Sequence, residues 1–469
     1  MAGQNDGSLI GYKGMVLDLL MKYQLAVGDT IKIITIDEEN IGILMPRYES
    51  SDETHVVIKL RSGYNIGIGT EKIRSIVKLA DPSRSAGAPS TAGKSKPPIP
   101  VDEYRESYEF MRDSGRQGTP KIALIGTGGT IASKVDYRTG GVTASLSALE
   151  LYDSVPELED YASIEPEVLL NEFSENIKPA HWTIIANRIA EKVRSGNYQG
   201  IIVSHGTDTM HYTAAALSFA LQNLPIPVVL VGAQRSPDRP SSDSAQNLLG
   251  ATIFATKSDL TGVFVSMHAT PSDDVIACHL GTRVRKNHTS RRDAFETIDG
   301  LPIALVRGGN PQIEVQETGI KLKTRGHDVQ ELVVRPNFDS KAALVKYYPG
   351  FDPEFIAHLV EKGYRAIILE GTGLGHVSSD CFKQLRETVE SGTMVFLTSQ
   401  CIWGRTKLTV YETGRDLLDI GVIPLSNMIS ETALVKAMWT LANTKDIKSA
   451  IRTMQENIAN EISMRITTF

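Results

Sequence analysis

Cysteine is scarce in this 469-residue chain, which has only Cys278, Cys381 and Cys401. No two stand in C-x-x-C spacing, so a zinc site built on cysteine thiolates is excluded, and an odd set of three argues for a reducing compartment. They read as three inert thiols. Basic excess is missing as well: 49 Lys and Arg face 55 Asp and Glu, a formal charge of −6. Such a balance argues against an electrostatic grip on nucleic acid over the whole surface, leaving that task to a local patch or a partner protein. Long apolar runs are absent too. No stretch reaches the ~18 uncharged apolar residues of a membrane span, and the opening "MAGQNDGSLIGYKG" has no signal-peptide core. The expectation is a folded cytoplasmic protein without a membrane partner.

What is present divides into parts, since a chain of this length exceeds what one hydrophobic core organises. Short β-rich runs, "VGDTIKIITI", "NIGILMPRY", "HVVIKL" and "YNIGIG", predict a small antiparallel β-barrel over residues 1–80. The Pro, Ser, Gly and Ala-rich stretch Ala80 to Pro100 predicts a linker, drawn over residues 81–120. Its "APSTAGKS" imitates a phosphate-binding loop but has Ala88 where the first glycine is required. From Lys121 the pattern changes to strands such as "KIALI", "GIIVSH", "PVVLVGA" and "TGVFVSM", alternating with helical periods such as "HWTIIANRIAEKVRSG". That alternation predicts an α/β fold with parallel sheets covered on both faces. One α/β domain is expected over 121–315, a second over 316–445, and a C-terminal tail over 446–469.

Ligands of such sheets sit outside the carboxyl ends of the strands. There the first strand ends in "GTGGT", a loop reduced to glycines and the hydroxyls of Thr127 and Thr130. It is no dinucleotide fingerprint, because Ile131 stands where the third glycine belongs, and no phosphate loop, because the lysine is missing. A second strand ends in "SHGTDTM", with Thr207, Asp208 and Thr209 just ahead of a helix. Two such turns at neighbouring strand ends can form one pocket offering hydroxyls, a carboxylate and backbone N–H groups for an oxyanion. A threonine nucleophile also needs a proton acceptor. The candidates are His205, which ends a buried strand where a histidine is more often a hydrogen-bonded structural residue, and Lys286, in the basic run "GTRVRKNHTSRRDAF", where a lysine is more often part of a solvated face. No metal site is expected, because His205 and His211 are six residues apart and do not share a helix face.

Taken in order, "GTGGTIAS", "SHGTDTM", "GAQR" and "VRKNHT", with the later "YYPGF" and "EGTGLGH", resemble the bacterial-type L-asparaginase and glutaminase family over Lys121 to Leu441. The resemblance implies a two-domain asparaginase-like core and a homodimer of that core. It implies Thr130 as first-loop nucleophile, Thr207, Asp208 and Lys286 as a second catalytic group, and Ser174 as a substrate-holding serine beside the turn residues Gly129 and Gly206. Glu175 stands where asparagine-preferring members often carry glutamine, and Tyr137 is the nearest match to the family's mobile lid tyrosine. Spacing leaves open which threonine attacks first.

The residues before Lys121 depart from free asparaginases. With them the chain resembles the family of asparaginase-like D-type subunits found in archaeal-type glutamyl-tRNA(Gln) amidotransferases. That resemblance implies glutamine hydrolysis through a threonine acyl-enzyme, with ammonia passed to a partner, the E-type subunit, which converts Glu-tRNA(Gln) to Gln-tRNA(Gln). No cofactor is expected in this chain; ATP and Mg²⁺ would be used by the complex through the partner. The alternative is a stand-alone cytoplasmic L-asparaginase/glutaminase. Arg283, Arg285, Arg291 and Arg292 would either contact tRNA or the partner, or form a solvated or substrate-facing cluster.

Overall fold

The computed structural model describes Leu9 and residues 11–36, 38–45, 47, 52–60, 65–79, 118–129, 131, 133–135, 142–144, 155–237, 242–307, 312–326 and 330–463. The expected linker lies outside these residues except for 118–120. The chain divides into two compact units: Met1–Thr119 with Ser133–Ser145 and Arg235–Ser242, and Pro120–Ala132 with Leu146–Gln234 and Asp243–Phe469.

In the first unit a helix, α1 (Gly14–Lys22), precedes β1 (Thr30–Thr35), β2 (Glu39–Leu44), β3 (His55–Leu60), β4 (Asn65–Gly69) and β5 (Ile73–Lys78). The strands alternate buried and outward residues, as a sheet with one face on a core requires. Ile31, Ile33, Leu44, Val56, Ile58 and Ile76 form that core together with Val16 and Leu20, one helical turn apart on α1. The sequence pattern did not foreshadow α1. Pairing runs β4-β3-β2-β1-β5, antiparallel throughout. Among the described residues no pairing joins β4 to β5, so the expected barrel is seen as an antiparallel sheet.

In the second unit the main sheet comprises β6 (Lys121–Gly128), β7 (Ser163–Glu172), β8 (Gly200–Ser204), β9 (Pro227–Val231), β10 (Leu260–His268) and β11 (Val275–Leu280). A hairpin follows, β12 (Val284–Lys286) with β13 (Phe295–Thr297), and then β14 (Ala304–Arg307) and β15 (Gln312–Val315) return to the sheet. Its order is β15-β14-β11-β10-β9-β8-β6-β7. The five strands from β7 to β10 are parallel, as expected; β11, β14 and β15 extend the sheet antiparallel. The chain places β7 on one side of β6 and β8 on the other, so the order reverses there and opens a crevice at the carboxyl ends of β6 and β8. Helices α2 (Pro179–Arg194), α3 (Met210–Ala220) and α4 (Ser244–Lys257) cover the faces.

The second lobe is a four-stranded parallel sheet, β16 (Ala342–Lys346), β17 (Ala366–Gly371), β18 (Met394–Ser399) and β19 (Ile423–Pro424). Helices α5 (Glu354–Glu361), α6 (Phe382–Glu390) and α7 (Glu412–Ile420) bury Ile356, Leu385 and Leu417 on one face. The other face is covered by α8 (Ser430–Asn443) and α9 (Ile447–Gln455). Two sequence boundaries shift. Lys323–Thr324 and Val333–Val334 still pair with first-lobe residues, so that lobe continues past residue 315. Residues 446–463 are no tail: Asp446 caps α9 by accepting from Ser449 N at 2.9 Å, and Ala450 and Met454 are buried in the second-lobe core.

Candidate active site

The glycines of "GTGGT" answer to close backbone packing. Gly128 and Gly129 have φ of 107° and 85°, in the left-handed region that L side chains avoid. A Cβ on Gly128 would stand 2.3 Å from Glu172 O, and one on Gly129 would stand 2.2 Å from Gly206 N. The two glycine turns therefore meet backbone to backbone. Gly206 in turn has no room for a side chain, because its Cβ would lie 2.7 Å from Ser174 Cβ. Two hydroxyls fasten the arrangement: Thr127 Oγ1 donates to Ser204 O at 2.7 Å, and Thr209 Oγ1 donates to Ser174 O at 2.6 Å. Ser174 is buried, and Glu175 beside it is exposed.

Lys286 reaches this junction from the end of β12. Its Nζ donates to Thr207 Oγ1 at 2.8 Å and to Asp208 Oδ1 at 2.6 Å. The lysine side chain is 9% exposed and that of Asp208 is 68% exposed, so the amine is enclosed while the carboxylate faces the opening. Gly129, Gly206, Ser174, Thr207, Asp208 and Lys286 are thus brought together from four separate stretches of chain. Thr130 and Tyr137 lie outside the described residues.

His205, the other candidate base, is occupied elsewhere. Its Nδ1 lies 2.7 Å from Gly206 O and its Nε2 lies 2.9 Å from Thr213 Oγ1, with the ring fully buried. Burial pushes its pKa down to about 4, and it braces the turn rather than facing the pocket. The arginines are paired within the chain. Arg283 is 2% exposed and donates to Ile298 O at 3.0 Å. Arg285 pairs with Glu431 at 2.7 Å, Arg291 with Asp293 at 2.6 Å, and Arg292 with Asp273 at 2.7 Å. A surface role for Arg283 is excluded by its burial. Among the described residues no group of three or more His, Cys, Asp or Glu is placed to hold a metal ion. Cys278 and Cys381 are buried, and burial pushes the Cys278 thiol up to about 12; Cys401 is exposed.

Sequence reasoning missed the clamps, namely the Thr209 bond to Ser174 and the Arg285–Glu431 pair, whose partners are 35 and 146 residues apart. No local pattern signals contacts at such separations. Chemically, the site sets an amine on a threonine hydroxyl, keeps a carboxylate beside it, and surrounds both with tight backbone turns. This is equipment for activating a hydroxyl toward an acyl carbon.

Family models agree with that reading of the parts. Residues 121–319 match the N-terminal asparaginase domain, 341–454 the glutaminase/asparaginase C-terminal domain, and 25–79 the GatD N-terminal domain. Among solved structures, the thermostable L-asparaginase from Thermococcus kodakarensis superimposes with a TM-score of 0.66 at 35% identity, covering 74% of this chain and 100% of that one. L-asparaginase I from Vibrio cholerae gives 0.63 at 28% identity over the same share of this chain and all of its own. The D subunit of glutamyl-tRNA(Gln) amidotransferase from Pyrococcus furiosus is 46% identical over 452 residues, 96% of this chain and 97% of that protein. The protein of that name from Methanopyrus kandleri is 42% identical over 458 residues, 96% of this chain and 94% of its own. Likeness at this level, running through the N-terminal unit and both lobes, means that the chain belongs to the D-subunit family of glutamyl-tRNA(Gln) amidotransferases, on an asparaginase-like fold.

Proposed function

We propose that this chain is the glutaminase component of a tRNA-dependent amidotransferase, hydrolysing glutamine to glutamate and ammonia for a partner that converts Glu-tRNA(Gln) to Gln-tRNA(Gln). One observation carries the choice over a stand-alone asparaginase: the amidotransferase D-subunit relatives match end to end, whereas the solved asparaginases account for 74% of the chain. In the proposed reaction Lys286, in its neutral form, takes the proton of a threonine hydroxyl, and the oxygen attacks the amide carbon of glutamine. Backbone N–H groups of the glycine turns steady the oxyanion. The tetrahedral intermediate collapses as the lysine returns its proton to the leaving nitrogen, releasing ammonia and an acyl-threonine ester. Water then adds to the ester, its proton passing through the same amine back to the threonine oxygen, and glutamate leaves.

Thr207 is the threonine whose contact with Lys286 supports this role; Thr130 is retained as first-loop nucleophile on the family resemblance. Ser174 and the exposed carboxylate of Asp208 are proposed to hold the substrate, the latter by its α-amino group. The partner is proposed to be the E-type subunit, acting on Glu-tRNA(Gln) with ATP and Mg²⁺, and this chain to need no cofactor of its own. A homodimer of the core is proposed, with the exposed Tyr348, Phe355 and Tyr411 of the second lobe as support. A cytoplasmic location is proposed on the strength of the tRNA-dependent role; no helix among the described residues is long and apolar enough to cross a membrane.

The test is Thr130→Ala in the two-component complex. Glutamine-dependent formation of Gln-tRNA(Gln) is expected to be lost while formation from added ammonium persists, because only the ammonia source is removed. Equal loss of both would make Thr130 structural.

A further inference from the structure

The turn that launches the catalytic strand is held on every side. Gly281 has no room for a side chain: its Cβ would stand 2.9 Å from Ser218 Oγ and 3.1 Å from Ala214 O on α3. Thr282 O accepts from Thr432 Oγ1 on α8 at 3.0 Å, and Thr282 Oγ1 donates to Ala459 O at 2.8 Å. The Arg283 guanidinium donates to Ile298 O at 3.0 Å and approaches Glu461 O at 3.5 Å. Ala459 and Glu461 belong to the loop that follows α9, in the segment expected from sequence to be a tail.

That loop is fixed by an unusual device. Lys436 of α8 and Glu461 form an ion pair at 2.5 Å with both side chains 0% exposed. Lys436 Nζ also donates to Met454 O at 3.0 Å and Glu456 O at 2.5 Å, and the Glu461 carboxylate accepts from Ile458 N at 3.1 Å and Ala459 N at 2.7 Å. A buried ion pair is a poor way to gain stability, since apolar side chains of the same volume often serve as well. Its hydrogen bonds instead set the path of the loop. A second tie runs through Asn427, which donates to Asp299 Oδ2 at 3.1 Å and Ser463 Oγ at 3.0 Å while accepting from Ser463 N at 3.1 Å.

We infer that the loop 456–463, locked by the buried Lys436–Glu461 pair, is a positioning element for Lys286, holding the Gly281–Arg283 turn from which that lysine reaches Thr207. The inference rests on the reading of Lys286 as proton acceptor. Three extended residue steps lead from Arg283 to Lys286, a lever of about 10 Å, so a tilt of about 5° at the turn displaces the amine by about 1 Å. A shift of that size at a reacting group can cost about 100-fold in rate. The main effect belongs on kcat, because Lys286 acts on the nucleophile and not on glutamine binding.

Steady-state glutamine hydrolysis in the assembled complex with Glu-tRNA(Gln) tests this. Thr282→Val removes the hydroxyl bond to the loop at nearly constant volume; kcat is expected to fall about tenfold with KM within about twofold, and Thr282→Ser to recover most of the loss. Glu461→Gln, which breaks the lock while keeping its shape, is expected to act in the same direction. Should Thr282→Val fail to fold, Thr432→Val loosens the same turn from the helix side and is expected to lower kcat alone. Native kcat in the folded variants, or a loss carried by KM, overturns the inference. Lys286→Met separates the two levels: if it is inactive while Thr282→Val is normal, only the positioning role fails, and if it is active, the proton-acceptor reading itself fails.

Discussion

Lys286 makes two contacts with different consequences: the bond to Asp208 orients the amine, and the bond to Thr207 is the path a proton would take. Replacing it by methionine keeps the length of the side chain and removes the amine. Lys286→Met is therefore expected to lower glutamine hydrolysis by about 100-fold or more with unchanged circular dichroism, since general-base catalysis is worth about 10²–10⁴. Near-normal hydrolysis would place the proton acceptor elsewhere. The buried histidines make a second prediction at this scale. His205, His211 and His279 are each pushed down to about 4 by burial. As pH falls below the ordinary value of about 6.5, the unfolded chain binds protons that the native chain refuses until about 4. Stability is therefore full above that ordinary value and is lost on the way down to about 4, each histidine contributing about 1.4 kcal/mol per pH unit. Urea midpoints at pH 7.5 and pH 5 measure it, and equal midpoints would contradict it. Thr207, Asp208 and Lys286 were legible in the sequence because hydroxyl, carboxylate and amine recur in ordered motifs. A structural, hydrogen-bonded role for His205 was legible from its place at the end of a buried strand, but its partner Thr213 was not, since only the fold sets that hydroxyl against the ring.

At the scale of elements, the parallel strands were legible because fully buried strands read as short apolar runs between helical periods. The antiparallel extension β11, β14 and β15 was not: hydrophobic runs such as Val275–Leu280 carry no sign of strand direction. Helix α9 was legible in principle, since Ile447, Ala450, Ile451 and Met454 stand at i, i+3, i+4 and i+7, the spacing of an amphipathic helix, and its burial of Ala450 and Met454 follows that spacing. Glycine in the two turns of the candidate site was visible as composition, but its cause is the meeting of those turns. The helix α3 begins directly after Thr209 and leans on the second lobe, where Phe219 stacks on Trp439 of α8 with centroids 5.8 Å apart. Trp439 is 1% exposed and also donates from Nε1 to Arg335 O at 3.0 Å. Trp439→Ala leaves a cavity between the lobes and an unpaired carbonyl, so a loss of about 3–5 kcal/mol is expected in chemical denaturation. A loss under about 1 kcal/mol would mean that the lobes are joined mainly by other contacts.

For the molecule as a whole, what distinguishes this chain from the solved asparaginases is the company its active site keeps. A free amidohydrolase gains by cleaving its amide whenever the two meet, whereas a component that makes ammonia for a partner wastes glutamine unless hydrolysis waits for an acceptor. The site is suited to such control, since it is assembled from separate stretches of chain, with Lys286 carried on a two-stranded hairpin and Thr207 on a turn packed against another turn. Small displacements among these parts would separate amine from hydroxyl. A ligand that prefers the aligned state raises its population by the ratio of its affinities for the two states. Low glutaminase turnover is therefore expected for the chain alone, rising about tenfold or more with partner and Glu-tRNA(Gln) together, equivalent to at least ~1.4 kcal/mol of coupling. Ammonia release from glutamine and from asparagine, measured with each component added singly and then together, is the test. Stimulation by both together, absent with uncharged tRNA, would tie hydrolysis to the presence of the acceptor. Fast asparagine hydrolysis by the isolated chain, unchanged by any addition, would instead describe a free asparaginase and leave the N-terminal unit without a role.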